Sequence, residues 1–159
     1  MKGLLVNLGG EHSKWLKPSR RLGIVLMPIL ESLVKANQLY LRTHHVPKLY
    51  ESGVRYENEP FTKDPSLPKL EEFALIPAII NRGWGDCDDL APWRVAELRE
   101  QGEKAKIRVS WKKYKGGKLF HITVRRGRNA VDPKTGRRLV GPDGKPLIED
   151  PSRILGMGA

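Results

Sequence analysis

The chain has a single cysteine, Cys87, in the segment GWGDCDDLAPWRVAEL at residues 83–98. Asp86 is a good N-cap, and the apolar spacing after it predicts a helix from about residue 86 to 101. The thiol then lies in the first helical turn, where exposed N–H groups and the helix dipole stabilise a thiolate. The pattern indicates a cysteine nucleophile, although a buried, inert cysteine is the more common use of this residue type.

Three carboxylates flank this thiol, those of Asp86, Asp88 and Asp89. Negative charge near a thiol raises its pKa and so opposes reactivity. We therefore expect the acids to point away as helix caps, or a cation such as a histidine to offset them. His121, in the later segment LFHITVRR, is the candidate, because a cysteine followed by a histidine and an acid is the order found in papain-like enzymes.

Alternation in LFHITVRR predicts a strand with Phe120, Ile122 and Val124 on its core face. We expect His121 on the other side, open to a cleft and against the helix that carries Cys87.

A third group is needed to orient the imidazole and fix its tautomer. Asp132, in AVDPKTG, heads a strong turn signal and is explained without catalysis. Asp150, in LIEDPS, ends a predicted strand, which is the rigid location that such a residue needs. The residues alone leave both candidates open.

The remaining patterns predict helices followed by antiparallel strands, an α+β organisation. An apolar stripe predicts a core helix over residues 22–42, formed by Leu26, Leu30, Leu33, Val34, Ala36 and Leu41. Further predicted elements are an irregular lead-in at 1–21, a surface excursion at 44–73 with an edge strand at 53–58, a short helix at 75–81, a hairpin at 105–126, and a short strand at 147–150. Pro92 should kink its helix or make the first turn irregular.

Several of these segments resemble the transglutaminase-like cysteine proteins of phage and prophage structural gene clusters. They are GWGDCDDLAPWRVAEL, FHITVRR and EDPSRILGM, and the upstream YLRTHHVPKLYESGVRYENEP also fits that family. The resemblance covers roughly residues 38–157. It implies a papain/transglutaminase-like α+β domain over 22–157, with a nucleophile-bearing helix packed on an antiparallel sheet and an N-terminal helical extension.

The resemblance also implies roles for individual residues. Cys87, His121 and Asp150 would form a triad that attacks protein amides, as an amidase, peptidase or acyltransferase. The connection between the last two, which contains GRNAVDPKTGRRLVG, looks longer than the family's, and this keeps Asp132 as an alternative acid.

Two aromatic residues and one main-chain group complete the predicted site. The N–H of Cys87 and the indole of Trp84 are candidate donors to an oxyanion. Tyr56 is expected to line the cleft, and Arg55 with it. We expect no cofactor and no metal, since His44 and His45 have no accompanying ligand cluster.

The composition sets limits on the function classes. At 159 residues the chain fits one domain, and with one cysteine it can form neither an internal disulfide nor an all-cysteine zinc site. The net charge is +11, and residues 104–138 contain only one acid, Asp132. This stretch is typical of a solvated basic face or of a surface that contacts polyanions.

Two alternative functions follow, a structural component of a phage particle and a nucleic-acid binder. The expected partners are a protein substrate or other phage structural proteins. The apolar stretch at 22–30 is too short to span a membrane, and neither a signal peptide nor membrane contact is predicted. We therefore expect a location in the bacterial cytoplasm, the virion or both.

Overall fold

The computed structural model describes residues 4–9, 20–58, 69–114, 117–127, 130, 135–138, 140–141 and 144–157. The helices are α1 (Arg20–Thr43), α2 (Ile76–Arg82) and α3 (Cys87–Glu100). The strands are β1 (Leu4–Gly9), β2 (Arg55–Tyr56), β3 (Lys69–Phe73), β4 (Trp84–Gly85), β5 (Lys106–Tyr114), β6 (Gly117–Arg125) and β7 (Ile148–Glu149). Helix and strand are mixed in this order, so the fold class is α+β.

The main sheet has the antiparallel order β5-β6-β7, with the hairpin β5–β6 in continuous register from Lys106↔Arg125 to Tyr114↔Gly117. α1 and α3 cover one face of it. Their apolar side chains share a core with the inward side chains of the strands, comprising Leu26, Leu30, Val34, Ala91, Val95, Ile107, Ile122 and Val124. The predicted core face of β6 is thus confirmed at Ile122 and Val124, both fully buried.

The two long helices each contain a proline. α3 runs from Cys87 to Glu100 through the buried Pro92, and α1 runs through the exposed Pro28. Each ring removes one main-chain donor from the helical ladder. Four members of the predicted α1 stripe are buried, but Ala36 is exposed and Leu41 is half-buried.

Two small sheets differ from the sequence expectations. The lead-in predicted to be irregular contains β1, which pairs antiparallel with β3 in the predicted surface excursion. The edge strand expected at 53–58 is present as β2, but its parallel partner β4 lies in RGWG, between two predicted helices, where no strand was predicted. A helical turn over Arg153–Met157 follows β7, where the sequence predicted no regular element.

Candidate functional site

Cys87 is the first residue of α3, a helix of 14 residues, and its side chain is half-buried. Asp86 is the N-cap, and it forms a capping box with Asp89, whose Oδ2 accepts the Asp86 N–H at 3.4 Å. The caps fix where the helix begins, and so they fix the place of the thiol at its positive end. The structure thus has the helix boundary that the sequence predicted.

Asp89 is held by three donors. Its Oδ1 accepts the N–H of Ala74 at 2.6 Å, and its Oδ2 accepts a hydrogen bond from the Arg82 guanidinium as well as the capping bond. Burial, followed by the charge of Asp86, raises the pKa of Asp89, and Arg82 acts in the opposite direction. Arg82 is therefore the cation that offsets this acidic turn, a role for which we had considered a histidine.

Arg82 also fixes the strand before the nucleophile. Its Nε donates to the carbonyl of Trp84 at 2.8 Å, and its guanidinium stacks over the Trp84 ring, 3.8 Å from the centroid. One face of the Trp84 ring is therefore covered by a cation, and its role as an oxyanion donor stays a prediction. Sequence reasoning missed Arg82, and its only signal was its place just before the glycine-rich turn.

The three acids of this turn lie close together. Oxygens of Asp86, Asp88 and Asp89 lie within 4.8 Å of one another, and all three side chains are buried. Such a group can attract a cation. In this structure Arg82 supplies the positive charge on Asp89, and we assign no metal site.

His121 and Asp150 are in direct contact. Nε2 of His121 lies 2.7 Å from Oδ2 of Asp150, and His121 is only 6% exposed. The pairing Val124↔Glu149 places Asp150 just beyond β7, on the same side of the sheet as His121. The contact favours the tautomer with its proton on Nε2, which leaves Nδ1 as the basic nitrogen. We expected an imidazole open to a cleft and against the helix of Cys87; it is instead buried, and alternation along β6 puts it on the sheet face opposite to Ile122 and Val124, which pack with α3.

Asp150 is fixed on its other side as well. Its Oδ1 accepts the N–H of Arg153 at 3.3 Å, and its carbonyl accepts the N–H of Ile154 at 3.1 Å. The carboxylate thus starts the helical turn that follows while it orients the imidazole. The competing acid, Asp132, lies outside the residues that the structure describes.

β2, which carries Tyr56, borders both the turn of Cys87 and the helical turn that follows Asp150. The parallel pairing of β2 with β4 aligns Tyr56 with Gly85, two residues before Cys87. The Tyr56 hydroxyl donates to Asn58 Oδ1 at 2.5 Å. Burial, then the negative charges of Cys87, Asp86, Asp150 and Asp88, raise the pKa of Tyr56 to about 12.

Side chains of the first turn of α3 pack closely on Gly85 and leave little room for a side chain at this position. A Cβ added at Gly85 would lie 3.0 Å from Leu90 Cδ2 and 3.2 Å from Asp89 Cβ. β2 is tied to this segment by hydrogen bonds from Arg55 N to Gly83 O and from Glu57 N to Gly85 O, both 3.0 Å long. Arg55 itself is exposed and pairs with Glu57 at 3.2 Å.

A buried group of charges lies behind Asp150, and sequence reasoning missed it. This Glu149 ion cluster contains Tyr50, Arg94, Glu97, Glu103, Arg126 and Glu149. Glu149 Oε1 accepts from the Tyr50 hydroxyl and from Arg94 Nε, the latter at 2.6 Å, and Glu149 Oε2 accepts from Arg126 at 2.8 Å. The cluster ties β7 to α3 and to the turn at Leu49–Glu51.

Two half-buried tyrosines, Tyr50 and Tyr56, predict a loss of stability at high pH. Burial, then the charge of Glu149, raises the pKa of Tyr50, and Tyr56 is raised to about 12, against about 10 in the unfolded chain. The folded state therefore holds these protons after the unfolded state has released them, so the free energy of unfolding falls as pH rises above about 10. The free energy of unfolding, measured with urea at increasing alkaline pH, should fall less steeply for Tyr50→Phe/Tyr56→Phe than for the wild type.

The ultraviolet absorbance of ionised phenol provides the control for this prediction. When the absorbance of Tyr56→Phe is subtracted from that of the wild type at each pH, the difference should rise in a step near pH 12. A step at about pH 10 would show that Tyr56 is not perturbed and that the site is open there.

No protein-family model, curated protein or solved structure matches the chain. Within the described ranges, no helix combines the length and the apolar character needed to cross a membrane.

Proposed function

We propose that the chain is a cysteine acyl-transfer enzyme of papain/transglutaminase-like type that acts on protein amides. The observation that carries the proposal is the contact of 2.7 Å between His121 Nε2 and Asp150 Oδ2, with the imidazole almost wholly removed from water. A carboxylate on one ring nitrogen orients the other nitrogen for proton transfer and stabilises the imidazolium that forms.

Two further observations support the same assignment. Cys87 begins a capped helix, and the helix N-terminus stabilises a thiolate. β2, the strand of Tyr56, pairs with the segment just before Cys87 and contacts the helical turn that follows Asp150, so one short strand borders both groups.

The chemistry follows from these roles. The Cys87 sulfur attacks the amide carbonyl, and the oxyanion is stabilised by N–H groups at the start of α3. His121, protonated, donates its proton to the departing ammonia or amine, and a thioester remains on Cys87. Water or an amine then attacks the thioester, gives its proton to His121, and releases the free thiol. Water yields hydrolysis, and a lysine amine yields a cross-link.

Alkylation of Cys87 tests the nucleophile, because the chain has no other thiol. The rate with iodoacetamide should reach its plateau well below the ordinary thiol pKa of about 8.5, and His121→Ala should slow alkylation at neutral pH by about tenfold or more. His44→Ala is the matched control, since His44 is exposed and stacks on Tyr40 at the end of α1. Its rate should equal that of the wild type.

A glutamine-containing peptide tests the reaction itself. Ammonia release, with an acyl adduct on Cys87 in the mass spectrum, is the expected result, and Cys87→Ala should abolish both. Added alkylamine should be incorporated into the peptide if an amine is the acceptor. A folded protein whose thiol reacts no faster than free cysteine would contradict the proposal and favour a structural role in a phage particle.

A further inference from the structure

The hairpin that carries His121 has an unusual charge content. Between Lys104 and Arg126 the chain has nine basic side chains and no acidic one. Register places Lys106, Arg108 and Arg125 on the sheet face of His121, opposite to the face covered by α1 and α3. All three side chains are exposed. Together these three side chains form the basic face.

The arrangement of the basic face is unfavourable for the isolated chain. Lys106 is directly opposite Arg125, and Arg108 is the diagonal neighbour of Arg125. Opposed side chains lie about 5 Å apart at Cβ and diagonal ones about 7 Å apart, and like charges at these positions destabilise a sheet. No ion pair with a described residue relieves them.

The nearby carboxylates that the structure describes are committed elsewhere. Glu103 binds Arg126 through both oxygens, at 2.6 and 2.7 Å. Glu149 faces α3 and bonds Arg94 and Arg126, and Asp150 bonds His121. A cation next to an acid of the same chain has its charge balanced by that acid. The three cations of the basic face have no such acid among the described residues, so a negative charge that balances them must come from another molecule.

Protection of a sheet edge does not explain this face. Lysines on an edge strand prevent edge-to-edge aggregation, and β5 is the terminal strand of its sheet. Arg125, however, belongs to β6, which is the central strand and has partners on both sides. A charge there contributes nothing to edge protection.

We infer that the basic face docks an acidic, extended protein segment that presents its amide at the His121–Asp150 pair on the same side of the sheet, an inference that rests on the proposed acyl-transfer function. Arg125 and His121 are four residues apart on β6, which is about 14 Å along the strand. An extended substrate rises by about the same distance per residue as a β-strand. Acidic residues that contact the basic face would therefore lie about two to four positions along the substrate from the reacting amide. The terminal strand β5 also offers main-chain groups for such a segment to pair with.

Binding to the full chain with Cys87→Ala tests the inference without relying on catalysis. The probe is a labelled peptide with one glutamine and glutamates at alternate positions on one side of it, compared with the same peptide in which glutamine replaces each glutamate. We expect the acidic peptide to bind at least about tenfold tighter, and the difference to shrink between roughly 50 and 200 mM salt.

Two matched variants locate the surface. Arg108→Gln/Arg125→Gln should weaken binding of the acidic peptide by about tenfold, and Lys35→Gln/Lys48→Gln, with the same change in net charge at exposed sites, by less than about twofold. Removing opposed charges should not unfold the protein. Equal binding of the two peptides, or equal loss in the two variants, would overturn the inference.

A single-stranded oligonucleotide of similar length is the third probe. If it binds more tightly than the acidic peptide and depends on the same arginines, the face serves nucleic acid and the inference is wrong. The outcome is separable from that of the proposed function. A reactive Cys87 with no preference for acidic peptides overturns only the docking surface, and preferential binding with an inert thiol overturns only the enzyme.

Discussion

Asp150→Asn should slow acylation of Cys87 by a glutamine peptide by about a thousandfold or more, while the protein remains folded. The carboxylate accepts from His121 Nε2 at 2.7 Å. An asparagine can present an N–H to the ring instead, which stabilises the wrong tautomer and removes the charge that supports the imidazolium. Ammonia release gives the rate, and ¹⁵N NMR of His121 reports which ring nitrogen carries the proton.

Asp132→Asn is the control that decides between the two acids left open by the sequence. We expect it to keep a rate within about twofold of the wild type, because Asp150 already occupies Nε2 of His121. The reverse pattern, with activity lost in Asp132→Asn and kept in Asp150→Asn, would show that Asp132 orients the imidazole during the reaction. Circular dichroism of both variants confirms that neither result comes from unfolding.

Local signals were sufficient for the elements that carry the candidate triad. The start of α3 follows from Asp86 as an N-cap behind a glycine-rich turn, and the hairpin β5–β6 from two alternating runs around KYKGGK. These features depend on neighbouring residues only. The contact of His121 with Asp150 followed less directly, because it needed the assumption that the last strand pairs with β6.

Pairings between distant, very short segments had no comparable signal. β2 and β4 have two residues each and pair in parallel across a separation of almost thirty positions. Two residues are too few to show alternation, and RGWG reads as a breaker. β1 had no pattern to distinguish it from an irregular lead-in, because its partner β3 lies in a proline-rich stretch.

Buried charges were missed for a related reason. Arg94 and Glu97 look like an ordinary i,i+3 pair on a solvated helix face, and Glu149 looks like one more acid in LIED. Alternation in LIED does put Glu149 and Asp150 on opposite sides of β7, which was the available signal. Asp150 then faces His121, and Glu149 faces α3.

The Glu149 ion cluster thus supports Asp150, the acid of the proposed triad. β7 has only two ladder pairs with β6, which is little to hold a strand end in place. Glu149 adds bonds to Tyr50, Arg94 and Arg126, and it immediately precedes Asp150. Burial acts to raise the pKa of Glu149, but the hydrogen bond and charge of Arg94 outweigh it, so the pKa is lowered.

Glu149→Ala is therefore expected to lower the free energy of unfolding by about 3–5 kcal/mol, since it leaves two buried guanidinium groups without their shared partner. Urea unfolding provides the measurement. Glu100→Ala breaks the exposed pair with Arg42 and should cost less than about 1 kcal/mol. A cost for Glu149→Ala as small as that of Glu100→Ala would contradict the role of the cluster.

The sign of the pH dependence separates lost charge from lost packing in the same variant. A carboxyl group whose pKa is lowered by folding stabilises the protein above its unfolded value of about 4.3, and this contribution disappears as pH falls through the folded value. The difference in stability between wild type and Glu149→Ala should therefore be largest near neutral pH and shrink on acidification. A lost-packing effect would not change with pH, because the removed methylene groups do not titrate. If the difference does shrink, the last strand is held by charge, and the position of Asp150 against His121 depends on an ion cluster on the opposite face of the sheet.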